Sequence, residues 1–259
     1  MVKAELPVWY SLIVAGLPEQ LTVSRHELDT VHKPLLAELL SEAARRPGKR
    51  HIVFLAGPAG SGKSTLTALW QEIIPEINTA SVPFQVLPMD GFHHPNNYLD
   101  AHTINRNGQT IPMQKIKGAP ETFNLEEILK AVTSLESGKE MKWPIYDRKD
   151  VRDIVPDALE VIPHGLVVVE GNYLLLDEPG WRDLRRCAYK SLFIDTPEER
   201  IANDIIQRHI AGGNRPEDAR AHYLYSDREN NIRIRAHLLS PDIRLTTSLT
   251  RRITMDRKS

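Results

Sequence analysis

"GPAGSGKS" occupies Gly57 to Ser64, and its reading decides the fold. It satisfies G-x-x-x-x-G-K-[ST] at every fixed position. Upstream lies "HIVFLA" (51–56), a continuous apolar run; downstream, "KSTLTALWQEII" repeats its apolar residues at helical spacing. Strand, glycine-rich turn and helix in that order is the context this motif requires. The run Gly57, Pro58, Ala59, Gly60, Ser61, Gly62 can curl backbone N–H groups around a phosphate at a helix N-terminus, whose dipole favours an anion. Lys63 would reach the β and γ oxygens, Ser64 would ligate Mg²⁺, and Thr65 would extend the contact into the helix. ATP and Mg²⁺ are the expected cofactors.

Outward from the loop the same alternation continues. "FQVLPM" (84–89), "GLVVV" (165–169) and "SLFI" (191–194) read as strands, and the absence of polar residues in "GLVVV" fits a strand covered on both faces. Asn124 with Glu127 opens a helix that Gly138 closes; Thr196-Pro197-Glu198-Glu199 reads as an N-cap and first turn of another. The expected fold is α/β: a P-loop NTPase three-layer αβα sandwich with a mostly parallel sheet, a helical lid and a small N-terminal appendage. Pro, Gly and charge cluster at "RPGKR" (46–50), which sets the expected division. Residues 1–45 form a β-hairpin and helix extension, and 46–259 the P-loop domain. Within the extension, residues 8–24 read as two strands broken at Leu17-Pro18-Glu19. Residues 25–46 read as a helix in which Pro34 marks a kink or the true start.

Bulk properties limit the function. The 259 residues carry 33 Lys plus Arg against 34 Asp plus Glu, so no basic surplus supplies the footprint of a nucleic-acid binder. The single cysteine, Cys187, excludes an internal disulfide framework. "VWYSLIVAGL" is too short to span a bilayer, and its flanking Glu5, Pro7 and Pro18 do not fit a signal peptide. The reading is a cytoplasmic protein with a small-molecule substrate, no nucleic acid, no membrane insertion, and homodimerisation left open.

In open parallel sheets, ligands bind beyond the carboxyl ends of the strands. That edge receives Asp90, Glu170 and Asp195. Glu170 takes the place of the acid that holds Mg²⁺ or its water, beside Ser64. Asp90 opens "DGFHHPNN" and can accept the proton of an attacking hydroxyl, or turn with Gly91. Asp195 either serves the site or prepares the helix start at Thr196. His93 and His94 lack the spacing of a zinc site and have no cysteine nearby, so they read as imidazole donors toward a polar substrate. "WPIYDRKD" (143–150) offers Tyr146 and Arg148 to the acceptor, and Asn172 joins the candidate substrate contacts. Arg200, Asp204 and Arg208 repeat at helical spacing; for Arg200 a surface ladder is expected. Gly212-Gly213 begins a lid whose arginines, Arg208, Arg215 or Arg220, would neutralise transferring phosphoryl charge. The P-loop alone does not name a reaction. No N-K-x-D stretch follows, so what remains is a kinase of a small acceptor, or an ATP-binding regulatory module of a transport system.

Taken in order, "GPAGSGKST", "MDGFHHPN", "KGAPETFN", "PIYDRKD" and "VVVEGNYLLLD" resemble the superfamily of uridine kinase, phosphoribulokinase and bacterial pantothenate kinase. Together with "IAGG" the set is similar to its bacterial branch of fructose-transport-system-kinase-like proteins, over about residues 28–245. The resemblance implies ATP·Mg²⁺-dependent phosphorylation of a hydroxyl, with Asp90 at the base position and Tyr146 and Arg148 near the acceptor. Pantothenate kinases resemble P-V-Y-S-H where this chain has Pro144-Ile145-Tyr146-Asp147-Arg148. Uridine kinases show Y-D-F and a later H-S-R, also not reproduced. A sugar, polyol or sugar acid is the first expectation, a nucleoside the second and pantothenate the third.

Overall fold

The computed structural model describes residues 6–14, 16–106 and 108–257. An N-terminal hairpin, β1 (Val8–Val14) and β2 (Leu17–Val23), leads into a helix, α1, built of three consecutive pieces: Arg25–Glu27, a π turn Leu28–His32, and Lys33–Ala44. The αβ alternation then begins with β3 (Arg50–Ala56), the phosphate loop and α2 (Lys63–Ile77), followed by β4 (Phe84–Pro88). A short helix α3 (Asn96–Ala101), the ribbon β5 (Thr103–Arg106) and β6 (Gln109–Pro112), and α4 (Leu125–Glu136) come next. A second ribbon, β7 (Lys142–Tyr146) and β8 (Ile154–Glu160), precedes β9 (Gly165–Gly171) and β10 (Lys190–Asp195). The lid comprises α5 (Glu198–Ala211), α6 (Pro216–His222) and α7 (Arg228–Ala236), and β11 (Ile243–Thr247) and β12 (Ile253–Arg257) end the chain.

The central sheet has the order β12-β11-β10-β3-β9-β4, parallel except for β11–β12. The period-2 alternation of β3 explains why its sequence is apolar throughout. Val53 and Leu55 face one apolar layer with Leu35, Leu36, Leu69 and Trp70, while Ile52, Phe54 and Ala56 face the other with Ile128, Trp143, Tyr173 and Trp181. Because β3 and β9 pair in register, Leu55 opposite Glu170 and Ala56 opposite Gly171, the residues leaving their carboxyl ends emerge side by side. The sheet edge predicted from strand direction is thereby assembled. No described helix is long and apolar enough to cross a membrane.

The N-terminal segment departs from expectation in detail. Leu12, Val23, Leu28, Val31, Leu35 and Leu36 belong to the same apolar layer as β3, so these residues have no core of their own. The hairpin pairs from Val8↔Val23 to Val14↔Leu17, so the strands reverse between Val14 and Leu17 and Pro18 lies inside β2. Gly16, at φ 81, supplies the positive angle that Leu17-Pro18-Glu19 could not. Pro34 falls in the first turn of the regular α-helical piece Lys33–Ala44, which meets the expectation that it marks the start of that helix. The π turn before it, closed by the Lys33 N–H on the Leu28 carbonyl, widens the backbone ahead of the proline ring and lets the helix run on.

Since Leu36 is fully enclosed between α1 and the sheet, Leu36→Ala is expected to lower stability by about 2–5 kcal/mol. Chemical denaturation followed by tryptophan fluorescence would show one transition at lower denaturant. A separate early transition of the N-terminal residues, with the main one unmoved, would contradict a shared core.

Candidate active site

The turn from β3 into α2 gives the phosphate loop its shape, with Gly60 and Gly62 at φ 75 and 95. Two neighbours hold that shape. Asn231 of α7 accepts from the Ala59 N–H at 2.9 Å and donates to the Ala59 carbonyl at 3.3 Å. Thr196 donates to the Ser61 carbonyl at 2.9 Å. Thr196 is therefore not the side-chain cap expected of it: α5 starts from Pro197 without one, because the hydroxyl is committed to the loop.

Lys63 is buried, and its ammonium donates to the Gly57 and Pro58 carbonyls at 3.0 and 2.9 Å and to Asn172 Oδ1 at 2.7 Å. Burial pulls its pKa down to about 8, which Glu170 and Asp90 only partly oppose. Asn172, expected among the substrate contacts, lines the cleft and holds this lysine. The Ser64 hydroxyl donates to Glu170 Oε1 at 2.8 Å. Adjacent ligands of an octahedral ion with bonds of 2.0–2.1 Å lie about 3 Å apart, so this hard-oxygen pair fits Mg²⁺. Burial pushes the Glu170 carboxyl above the ordinary glutamate value, a state that a cation at the same oxygens would relieve.

On the other side of the loop, Asp90 sits in the turn Met89–Phe92 after β4. Gly91 lies flat against β7: a Cβ there would come within 2.2 Å of the Pro144 carbonyl oxygen. That close approach brings Arg148 into an ion pair with Asp90. Burial raises the Asp90 carboxyl, but Arg148, His93, Lys63 and Arg208 outweigh it and hold the group below the ordinary aspartate value. It is an ionised acceptor of hydrogen bonds. His93 takes a different role from the donor expected of it. Its Nδ1 lies 2.9 Å from the Asp90 carbonyl, which can only accept, so the proton is on Nδ1 and Nε2 is left as an acceptor. Desolvation depresses its pKa and keeps the ring neutral.

Several other candidates fall outside the cleft of about 920 Å³ that runs through this site. His94 stacks on Tyr98, and Tyr98 on His102, at ring separations of 4.2 and 3.8 Å; adjacent backbone positions sent the two histidines apart. Asp195 pairs with Arg244 at 2.9 Å and Arg235 at 3.5 Å, a structural role. Arg215 pairs with Asp218 on the exposed surface of α6. Of the three lid arginines only Arg208 lines the cleft, where Arg148, Asp227 and Asp90 are among the charges it feels. Arg200 makes the expected ladder contact with Asp204 at 3.4 Å and also lines the cleft. Trp143 packs in the core with its Nε1 donating to the Pro88 carbonyl, while Tyr146, on the same strand, lines the cleft.

Sequence reading missed Lys117. Its ammonium donates to Tyr146 Oη at 2.9 Å and to Asn96 Oδ1 at 2.5 Å, at the acceptor end of the cleft. The "KGAPETFN" segment flagged the loop, but nothing local distinguished this lysine from a solvated one.

Residues 52–223 match the model of the Phosphoribulokinase / Uridine kinase family. The chain belongs to this family. It is 40% identical to YggC of Escherichia coli K12 over 223 residues, 86% of this chain and 89% of that one. A crystal structure from Silicibacter sp. TM1040, described as a candidate fructose transport system kinase, is similar with 32% identity and a TM-score of 0.69, covering 83% of this chain and 98% of that one. D-glycerate 3-kinase from Cryptococcus neoformans shares the fold at 14% identity and a TM-score of 0.65, over 87% and 99% of the two chains. As a member of the phosphoribulokinase/uridine kinase family the protein is a kinase of a small metabolite, transferring a phosphoryl group to an alcohol.

The depressed Lys63 gives a pH signature. Unliganded, the amine loses its proton above pH about 8. A polyphosphate beside it favours the charged form, so binding takes up a proton above that pH and not at pH 6.5. Calorimetric titration of metal-free nucleotide at pH 9, in two buffers of different ionisation enthalpy, should give two apparent enthalpies. Equal values at pH 9 would contradict the assignment of Lys63 to the phosphates.

Proposed function

We propose that this kinase uses ATP with Mg²⁺ and phosphorylates a hydroxyl of a sugar, polyol or sugar acid, the sugar acid being the reading that the acceptor end favours. The observation that carries it is the charge there. Lys117 and Arg148 lie over the Tyr146 ring, Arg208 lines the same cleft close enough to feel Arg148 and Asp90, and Asp90 is the facing carboxylate. Such an excess of cations suits an acceptor with a carboxylate, and guanidinium groups bind planar carboxylates well. Asp90 and the bare Nε2 of His93 are acceptors for hydroxyl groups. The likeness to a candidate fructose transport system kinase supports a polyhydroxylated acceptor.

In this mechanism the loop amides and Lys63 hold the polyphosphate, and Lys63 gives up its contacts to Gly57, Pro58 and Asn172 as it turns to the phosphate oxygens. Ser64 and Glu170 would hold Mg²⁺, which neutralises phosphate charge when bound. Asp90 orients the acceptor hydroxyl and takes its proton as the phosphorus–oxygen bond forms. Its low pKa suits it to positioning, which is most of what a loose phosphoryl transfer asks of the protein. Arg208, carried on the lid, meets the transferring phosphoryl group and helps exclude water.

A screen of aldonic and glyceric acids, neutral sugars, polyols, nucleosides and pantothenate, read as ADP release, is expected to give the highest kcat/KM with a carboxylated polyol. A nucleoside or neutral sugar in first place would overturn the acceptor class. With the best acceptor, Asp90→Asn should bind ATP as before and lose about 10²–10⁴ in kcat. Lys117→Ala should raise the KM for the acceptor about tenfold or more, with a smaller effect on kcat.

A further inference from the structure

A triphosphate whose terminal phosphorus lies between Glu170 and Asp90 leaves its nucleoside at the opposite end of the cleft. That end is walled by Leu17, Leu21 and Val23 of the hairpin, Leu69 of α2, and Ile253 and Arg251 near β12. Two acidic side chains line this end: Glu19 of β2, which accepts from the Thr65 hydroxyl at 3.2 Å and lies 3.8 Å from Arg251, and Glu27, which enters from the helix that follows the hairpin. All the hairpin and α1 residues precede the stretch that matches the family.

Glu27 is unusually well prepared. Ser24-x-x-Glu27 has the pattern of a capping box, and the Ser24 hydroxyl does accept from the Glu27 N–H at 3.1 Å. The glutamate side chain, however, is buried and is held by His32 Nε2 at 3.1 Å from its Oε1. His32 is fully buried, and its Nδ1 receives the Trp70 Nε1–H at 3.3 Å. An indole N–H can only donate, so Nδ1 is the acceptor and the proton sits on Nε2, directed at Glu27. The π turn Leu28–His32 supplies the extra residue that sets position 32 beneath position 27. A three-member chain, Trp70 to His32 to Glu27, thus fixes a carboxylate beside the slot. Among the described residues no donor reaches its second oxygen.

We propose that this end of the cleft is a nucleobase pocket and that Glu27 accepts a hydrogen bond from the 6-amino group of adenine, so that the N-terminal segment selects adenine over guanine nucleotides. The apolar walls take the flat ring, and the second oxygen of Glu27 takes the 6-amino group. A guanine base in the same pose would set its 6-oxo group against the carboxylate, and presenting its N1–H or 2-amino group instead would need the ring to turn within the slot. The inference rests on the reading that the loop at Gly57–Ser64 holds a nucleoside triphosphate.

The test is calorimetric binding of MgATP, MgGTP and inorganic tripolyphosphate, which has no base. For the wild-type protein ATP should bind about ten- to a hundredfold more tightly than GTP, the worth of one hydrogen bond to a charged group. In Glu27→Gln the side-chain carbonyl still accepts from His32, and an amide N–H now faces the base. The ATP to GTP preference should fall at least tenfold while tripolyphosphate binding is unchanged. Leu17→Ala, at a half-exposed hairpin position, should weaken both nucleotides severalfold and leave tripolyphosphate alone. Equal wild-type affinity for the two nucleotides would overturn the inference, as would an unchanged preference in Glu27→Gln with tripolyphosphate still bound. A wild-type protein that bound neither nucleotide nor tripolyphosphate would overturn the P-loop reading as well.

Discussion

The three hydrogen bonds of the Lys63 ammonium, to Gly57, Pro58 and Asn172, tie the two central strands together at the point where chemistry occurs. Gly57 and Pro58 follow β3, and Asn172 follows β9. A buried ammonium with fewer acceptors would carry a desolvation cost of several kcal/mol. The in-register pairing of β3 with β9 is what makes the third acceptor available, and it also brings Glu170 to the Ser64 hydroxyl. The two contacts are consequences of one parallel strand pair, and the loop, the metal ligands and the lid anchor at Asn231 are arranged around it.

The cleft is divided by charge and by chain segment. Toward Asp90 it is polar and rich in cations, built from β4's turn, the β7–β8 ribbon and the loop at Lys117. Toward β2 it is apolar, built from the hairpin, α2 and β12. The phosphate loop lies between. This division gives each end one chemical demand, and the buried carboxylate of Glu27 is legible as a recognition group at the apolar end because one of its oxygens is held by His32 and the other is not. Tight packing serves the same division: Gly91 against Pro144 lets β7 approach closely enough for Arg148 to meet Asp90.

Strand direction predicted which acids share an edge, and for Asp90 and Glu170 it sufficed. It left Asp195 open, because a strand end fixes where a side chain starts and not which partner takes it; Arg244 and Arg235 come from distant segments. The adjacent histidines divided for a related reason. His93 is turned inward by the Asp90 carbonyl and the Phe123 ring, and His94 outward to Tyr98. Arg208 and Arg215 were equivalent in sequence, whereas in the fold one faces the cleft and the other pairs with its own helix at Asp218.

The sequence by itself determined the phosphate loop, the parallel sheet behind it, and the acid beside each of its two flanking positions, since all of these follow from contiguous patterns whose geometry is local. Only the tertiary structure decided that the hairpin strands and α1 join the core and the cleft, that Asn172 holds the lysine and Lys117 reaches the acceptor end, and that Glu27 is fixed by His32 and Trp70. Each of those depends on a contact between segments far apart in the chain. Such contacts are set by burial, which has no signature at any single position.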